Sequence, residues 1–174
     1  MSIGEGASTA YHTDRARDWP SIRQFSVFLE NRCGQLLDVV RRFEKTKVRI
    51  VALSIIDSAD CAIVRLVLSH PEQGREILER AGLAIAESDL VVVELPQTQS
   101  PLVEICTALL QAEINIHYAY PMMIHPHGRA AIALHVDNHE GAVETLKRIN
   151  FNVLTESDLT ASFNIARIPL TADG

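Results

Sequence analysis

Phe28-Leu29-Glu30-Asn31-Arg32-Cys33-Gly34-Gln35-Leu36 decides how this chain is read. An apolar alternation, Phe25, Val27 and Leu29, ends inside it, and a helical spacing, Leu36, Leu37, Val40 and Phe43, begins at its far end. Between them stand an Asn, a residue type that caps helices, and a Gly, which turns sharply or lets a ligand approach the backbone. A strand that enters a helix through so tight a loop leaves backbone N–H groups unpaired in the first turn. Together with the helix dipole they favour a carboxylate or a phosphate. The stretch is a binding feature and holds no catalytic group.

Reading outward, residues 23–29 alternate as a strand and 34–46 form an amphipathic helix. Val48–Ile56 is rich in β-branched residues and reads as a strand, Asp57–Asp60 as a turn, and Cys61–Ser69 as a third strand. A helix starts at His70-Pro71-Glu72, with Pro tolerated in its first turn, and Gly82 stops it. Leu83–Ala86 is a short fourth strand, giving the order βαββαβ. The order then recurs: strand 90–95, helix 100–112, strands 115–124 and 129–136, helix 139–149 and strand 151–155.

The recurrence holds position by position. At an offset of 66, Leu29 meets Leu95, Leu36 meets Leu102, Val39 meets Ile105 and Ile50 meets Ile116. At an offset of 68, Leu68 meets Val136, Glu76 meets Glu144, Leu78 meets Leu146 and Ile85 meets Val153. The two-residue change falls in the middle hairpin, where insertions are tolerated. The chain therefore divides into an N-terminal arm (1–22), in which Trp19 could tuck against the body, repeat one (23–88), repeat two (89–158) and a C-terminal tail (159–174). Glu87-Ser88-Asp89 is the only linker, so the units should touch. In the tail, Phe163, Ile165 and Ile168 fit either an added edge strand or a loose end.

Composition narrows the function classes. The net charge of −6 argues against nucleic acid. Residues 23–88 carry ten Lys/Arg against nine Asp/Glu, and residues 89–158 three against nine, an asymmetry suited to solvated faces or a polar dimer. Cys33, Cys61 and Cys106 have no metal spacing and fit free thiols in a reducing cytoplasm. No apolar run approaches a membrane span, and no secretory signal opens the chain. His125-Pro126-His127 could ligate a metal, but the Pro and Gly128 favour a hairpin tip, while His117 and His135 are placed to face the open side of the sheet. Cys33 reads as a small loop residue rather than a reactive thiol. The pattern yields no phosphate loop, no nucleophile–base set and no cofactor motif.

Two βαββαβ units, each opened by a strand, a tight loop and a helix, resemble tandem ACT domains, here stand-alone bacterial ones. The words that carry the resemblance are Asn31-Arg32-Cys33-Gly34-Gln35-Leu36 and Ala112-Glu113-Ile114-Asn115-Ile116. The resemblance implies an α+β fold: two ferredoxin-like units whose antiparallel sheets carry helices on one face and pair edge to edge. It implies a free amino acid bound at the seam by Asn31, Cys33, Gly34, Gln35 and Leu36 of one loop and by Asn115, Ile116 and His117 of the facing strand. Cys33 stands where the family usually has Pro. In repeat two, Gln97 and Ser100 replace the Asn/Asp and Gly, and Pro101 removes an N–H, so that pocket should be weak. The implied protein is a non-catalytic, cytoplasmic, allosteric regulator that self-associates and acts on a partner enzyme. The small regulatory subunit of acetolactate synthase and a ligand-free assembly module are the alternatives.

Overall fold

The computed structural model describes residues 20–57 and 61–164. Most of the arm, the turn residues 58–60 and the tail beyond 164 lie outside these, and with them the expectations for Trp19 and for Ile165 and Ile168. The elements are β1 (Ile22–Glu30), α1 (Gln35–Arg41), β2 (Ile50–Asp57), β3 (Cys61–Leu68), α2 (Pro71–Arg80), β4 (Ala84–Glu94), α3 (Pro101–Gln111), β5 (Ile116–Pro121), β6 (Ala131–Val136), α4 (His139–Arg148) and α5 (Glu156–Asn164). The hairpin tip is a single 3-10 turn, Pro126–Gly128.

All six strands join one antiparallel sheet in the order β2-β3-β1-β4-β6-β5. Helices α1 to α4 cover one face. Phe25, Val27 and Leu29 of β1 pack with Val39 of α1 and Leu78 of α2. Val91 and Val93 of β4 pack with Ile105 and Leu109 of α3 and Val143 and Leu146 of α4. The other face turns in on itself. Ile22, Val51, Ala52 and Val67 of repeat one meet Leu90, Val92, Tyr120, Met122, Ala131 and Ala133 of repeat two in a third cluster. Each large apolar side chain enclosed this way contributes about 1.5–3 kcal/mol of transfer free energy. The curl brings the two edge strands near each other, and Met123 just past β5 donates its N–H to Val51 O of β2 at 2.8 Å.

The fold is α+β, with two ferredoxin-like units as expected, but four details differ. Glu87-Ser88-Asp89 is no linker: it runs through the middle of β4, which ends repeat one and begins repeat two. The sheets are therefore joined through a shared strand, and their inner faces pack on one another besides. α1 stops at Arg41 rather than 46, because Arg42, Phe43 and Glu44 switch to i→i−3 bonds and the Thr46 hydroxyl takes the Phe43 carbonyl. Residues 151–155 form only a bridge, Val153 to Val93, before the chain enters α5. That helix is started by Thr155, whose backbone N–H donates to Asp158 Oδ2 at 2.8 Å, one half of a capping box. The edge-strand alternative for the tail thus fails as far as residue 164.

Candidate functional site

Strand pairing places each half of the expected site. Phe28 near the end of β1 pairs with Ala84 at the start of β4, Glu30 with Cys61 at the start of β3, and Ile116 at the start of β5 with Val136 at the end of β6. The 31–36 loop and the end of β2 meet at one mouth of the curled sheet, where Asn31 reaches Asp57, while the segment 115–117 lies at the start of β5, level with the middle of β4. Asn31, Cys33 and Gly34 are exposed, Gln35 and Leu36 half-buried, Asn115 and His117 exposed, and Ile116 half-buried.

Gly34 sits at the N-cap of α1 with φ 91° and ψ −15°, a left-handed conformation that favours glycine. It brings no capping side chain, and a Cβ built there would meet nothing within 4 Å. The Gln35 N–H turns back to the Arg32 carbonyl at 3.3 Å, and no side chain caps the rest of the first turn. Asn31 is engaged: its Nδ2 donates to Asp57 Oδ1 at 2.7 Å. The Asn115 N–H donates to Asp137 Oδ1 at 3.1 Å, and the His117 ring lies 5.4 Å from that of His135. His117 and His135 do meet on the helix-free side, as their strands suggested. The corresponding loop of repeat two differs in backbone. Ser100 has φ −141° and ψ 59°, outside the left-handed region, so no glycine is called for there, and its hydroxyl makes no cap bond.

Below the mouth lies a polar floor that the motif reading missed. Gln24 of β1 is fully buried. Its Nε2 donates to Ser88 Oγ at 2.9 Å, Tyr118 Oη at 2.9 Å and, more weakly, Ser26 Oγ at 3.3 Å, and its Oε1 accepts from the Tyr120 hydroxyl at 2.6 Å. One side chain of repeat one thus holds both tyrosines of repeat two. Tyr118 also carries the Arg65 guanidinium over its ring at 3.8 Å and the His135 ring stacked at 4.7 Å. Burial, with His117 and Arg65 alongside, holds the His135 imidazole below its usual range. Burial pushes the Tyr120 hydroxyl far above its own. The signal available beforehand was the polar alternation Gln24-x-Ser26 in an otherwise apolar strand.

The opposite end is shut. Leu154 and Leu159 plug it, and Glu94, buried, takes His127 Nδ1 at 2.8 Å and the Asn152 amide at 2.9 Å. His127 is therefore a structural prop at the hairpin tip, with Asp158 of α5 3.8 Å from its other nitrogen. Among the described residues no group of three His, Cys, Asp or Glu could hold a metal ion. Nor is any helix there long and apolar enough to cross a membrane.

A family model for the ACT domain pair matches residues 20–163. This chain is an ACT domain pair. It is similar to protein BT0572 from Bacteroides thetaiotaomicron, at 27% identity over 80% of this chain and 96% of that one, with a TM-score of 0.73. The regulatory subunit of aspartate kinase from Thermus thermophilus shares the fold, at 12% identity over 78% of this chain and 96% of that one, with a TM-score of 0.52. The small subunit of acetolactate synthase from Thermotoga maritima aligns at 10% identity over 76% of this chain and 92% of that one, with a TM-score of 0.34. No curated protein matches the sequence. ACT pairs are regulatory, so the chain is a regulatory protein by family.

Proposed function

We propose that this ACT pair is a non-catalytic cytoplasmic regulator that binds a free amino acid at its mouth, with the α-carboxylate on the backbone of the 31–36 loop. The observation that carries the reading is Gly34: left-handed, uncapped and open, it presents the start of α1 to an anion. Cys33, Gln35 and Leu36 would supply further backbone contact, and Asn31 with its partner Asp57 would face the ammonium. Asn115, Ile116 and His117 would close the site from repeat two. A ligand held by both repeats stabilises whichever arrangement of the mouth fits it, and a partner enzyme that senses the mouth is thereby regulated.

The test is calorimetry of the folded protein against the twenty amino acids. At least one should bind, and Gly34→Asp, which sets a carboxylate where the ligand's must lie, should abolish that binding. Silence across the panel overturns the reading, and undiminished affinity in Gly34→Asp moves the site elsewhere.

Self-association belongs to the same proposal. Leu102, Val103 and Leu110 of α3 are exposed, Leu110 at 76%, with Cys106 exposed among them. Residues 102, 106 and 110 fall on one helical stripe, the face a second copy would cover.

A further inference from the structure

Two rows of side chains lie next to each other on the inner face of repeat one. In the first, Ser54, Arg65 and Ser26 align across β2, β3 and β1, Arg65 being the register partner of both serines. In the second, one step nearer the mouth, Ile56, Ile63 and Phe28 align in the same way. Residues two apart on a strand share a face, so both rows look the same way. Arg65 shows which way that is, since its guanidinium reaches across to Tyr118 of repeat two. On the β4 side the rows continue as Ala86, opposite Ser26, and Ala84, opposite Phe28, both small and exposed, which leaves the groove open.

The first row is rich in donors and short of acceptors. Arg65 has no ion pair among the described residues, and its contact is the Tyr118 ring at 3.8 Å. Ser26 accepts from Gln24 and keeps its own proton for another acceptor. His135, stacked on the same tyrosine, has its Nδ1 closed from solvent with no hydrogen-bond partner. A cation without a counter-ion beside an unsatisfied ring nitrogen is an uncommon combination in a packed interior. The second row is apolar yet uncovered: Phe28 is 44% and Ile56 41% exposed.

We propose that this inner face binds a small carboxylate with an apolar body, its head on Arg65 between Ser26 and Ser54 and its body on Phe28, Ile56 and Ile63. The planar guanidinium fork matches a carboxylate in two parallel bonds, and the tyrosine beneath it fixes its plane. The sheet spacing sets the head and body about 7 Å apart, two residues along a strand, which suits a short branched or aromatic acid. The site needs no ammonium and shares no residue with the Gly34 loop, so the two proposals stand or fall separately.

The probe is 4-methylpentanoate, titrated into the whole chain by calorimetry beside 4-methylpentan-1-ol and inorganic phosphate. The acid should bind, while the alcohol, without the head, and phosphate, without the body, should bind at least about tenfold more weakly. Arg65→Gln should weaken the acid about tenfold or more, and Gly34→Asp should leave it unchanged. In the unmodified protein the acid should also shift the His135 imidazole resonances, a readout that holds even where Arg65→Gln fails to fold. No binding of the acid, equal binding of phosphate, an unaffected Arg65→Gln or unmoved His135 resonances would each overturn the site.

Discussion

Gln24 joins the two repeats at the level of single atoms. Buried without a partner, its amide would be a liability, but here each end is used, by Ser88 and Tyr118 on one side and Tyr120 on the other. Gln24→Leu keeps the approximate volume and strands the Tyr120 hydroxyl, so it should cost about 1–3 kcal/mol in chemical denaturation, and Tyr120→Phe about 1 kcal/mol. The double variant should cost less than the sum, since the second change then removes a group already unpaired. Additive losses would show that the bond does not couple the repeats. His135 adds a pH dependence. Its proton is held less readily in the folded chain than at the ordinary value of 6.5, because burial opposes the charge. The unfolded chain therefore takes up the proton first, and stability complete above 6.5 is lost as pH falls below it. The denaturation midpoint should be lower near about pH 5.5 than near about pH 7.5, and His135→Gln should flatten that slope. An unaltered slope would assign the effect to other groups.

Among the elements, β4 departs most from what its residues suggest. Glu87-Ser88-Asp89 looks like a connection, because three polar residues in a row usually meet water. Each instead meets a partner: Glu87 lies 3.2 Å from Arg75, Ser88 accepts from Gln24, and Asp89 accepts from the Ser21 hydroxyl at 2.9 Å. Partners distant in sequence carry this strand through its polar middle, and one sequence does not display them. What periodicity did display was local, namely the order of strands and helices, the stop at Gly82 and the hairpin at Pro126–Gly128. α5 was legible too, from the spacing Thr155-x-x-Asp158, a helix-start pattern that the apolar alternation beyond it masks. A cut between residues 88 and 89 should therefore leave neither half folded when each is expressed alone, because each keeps only part of β4. Circular dichroism of the two halves checks this, and two cooperatively melting halves would establish independent units.

For the whole molecule, the duplication was readable from offsets alone. The curl was not. It follows from an inner face that is apolar at Ile22, Val67, Leu90 and Ala133 and polar at Gln24, Ser26, Arg65 and Tyr118, a gradient visible only once the strands are aligned. On the outer flank, Leu102, Val103 and Leu110 of α3 leave an exposed apolar stripe. Leu110→Glu should accordingly shift the protein from an oligomer towards a monomer in analytical ultracentrifugation, with little loss of thermal stability. A wild-type chain that sediments as a monomer at working concentrations would remove α3 as a contact.

The shared strand also limits how one repeat can inform the other. Domains that swing do so about a few residues free to change their backbone angles. β4 offers no such residues at the junction: residues 22–28 of β1 hold its first part, β6 and the Val153 bridge its last, and the two sets meet at Leu90 and Val91. What is left to vary is the pitch of a single ribbon. Anything that grips the mouth would wind or unwind that ribbon slightly and be felt along its whole length, as torque is felt along a shaft, and the partner best placed to sense it is one that clasps both helical flanks at once.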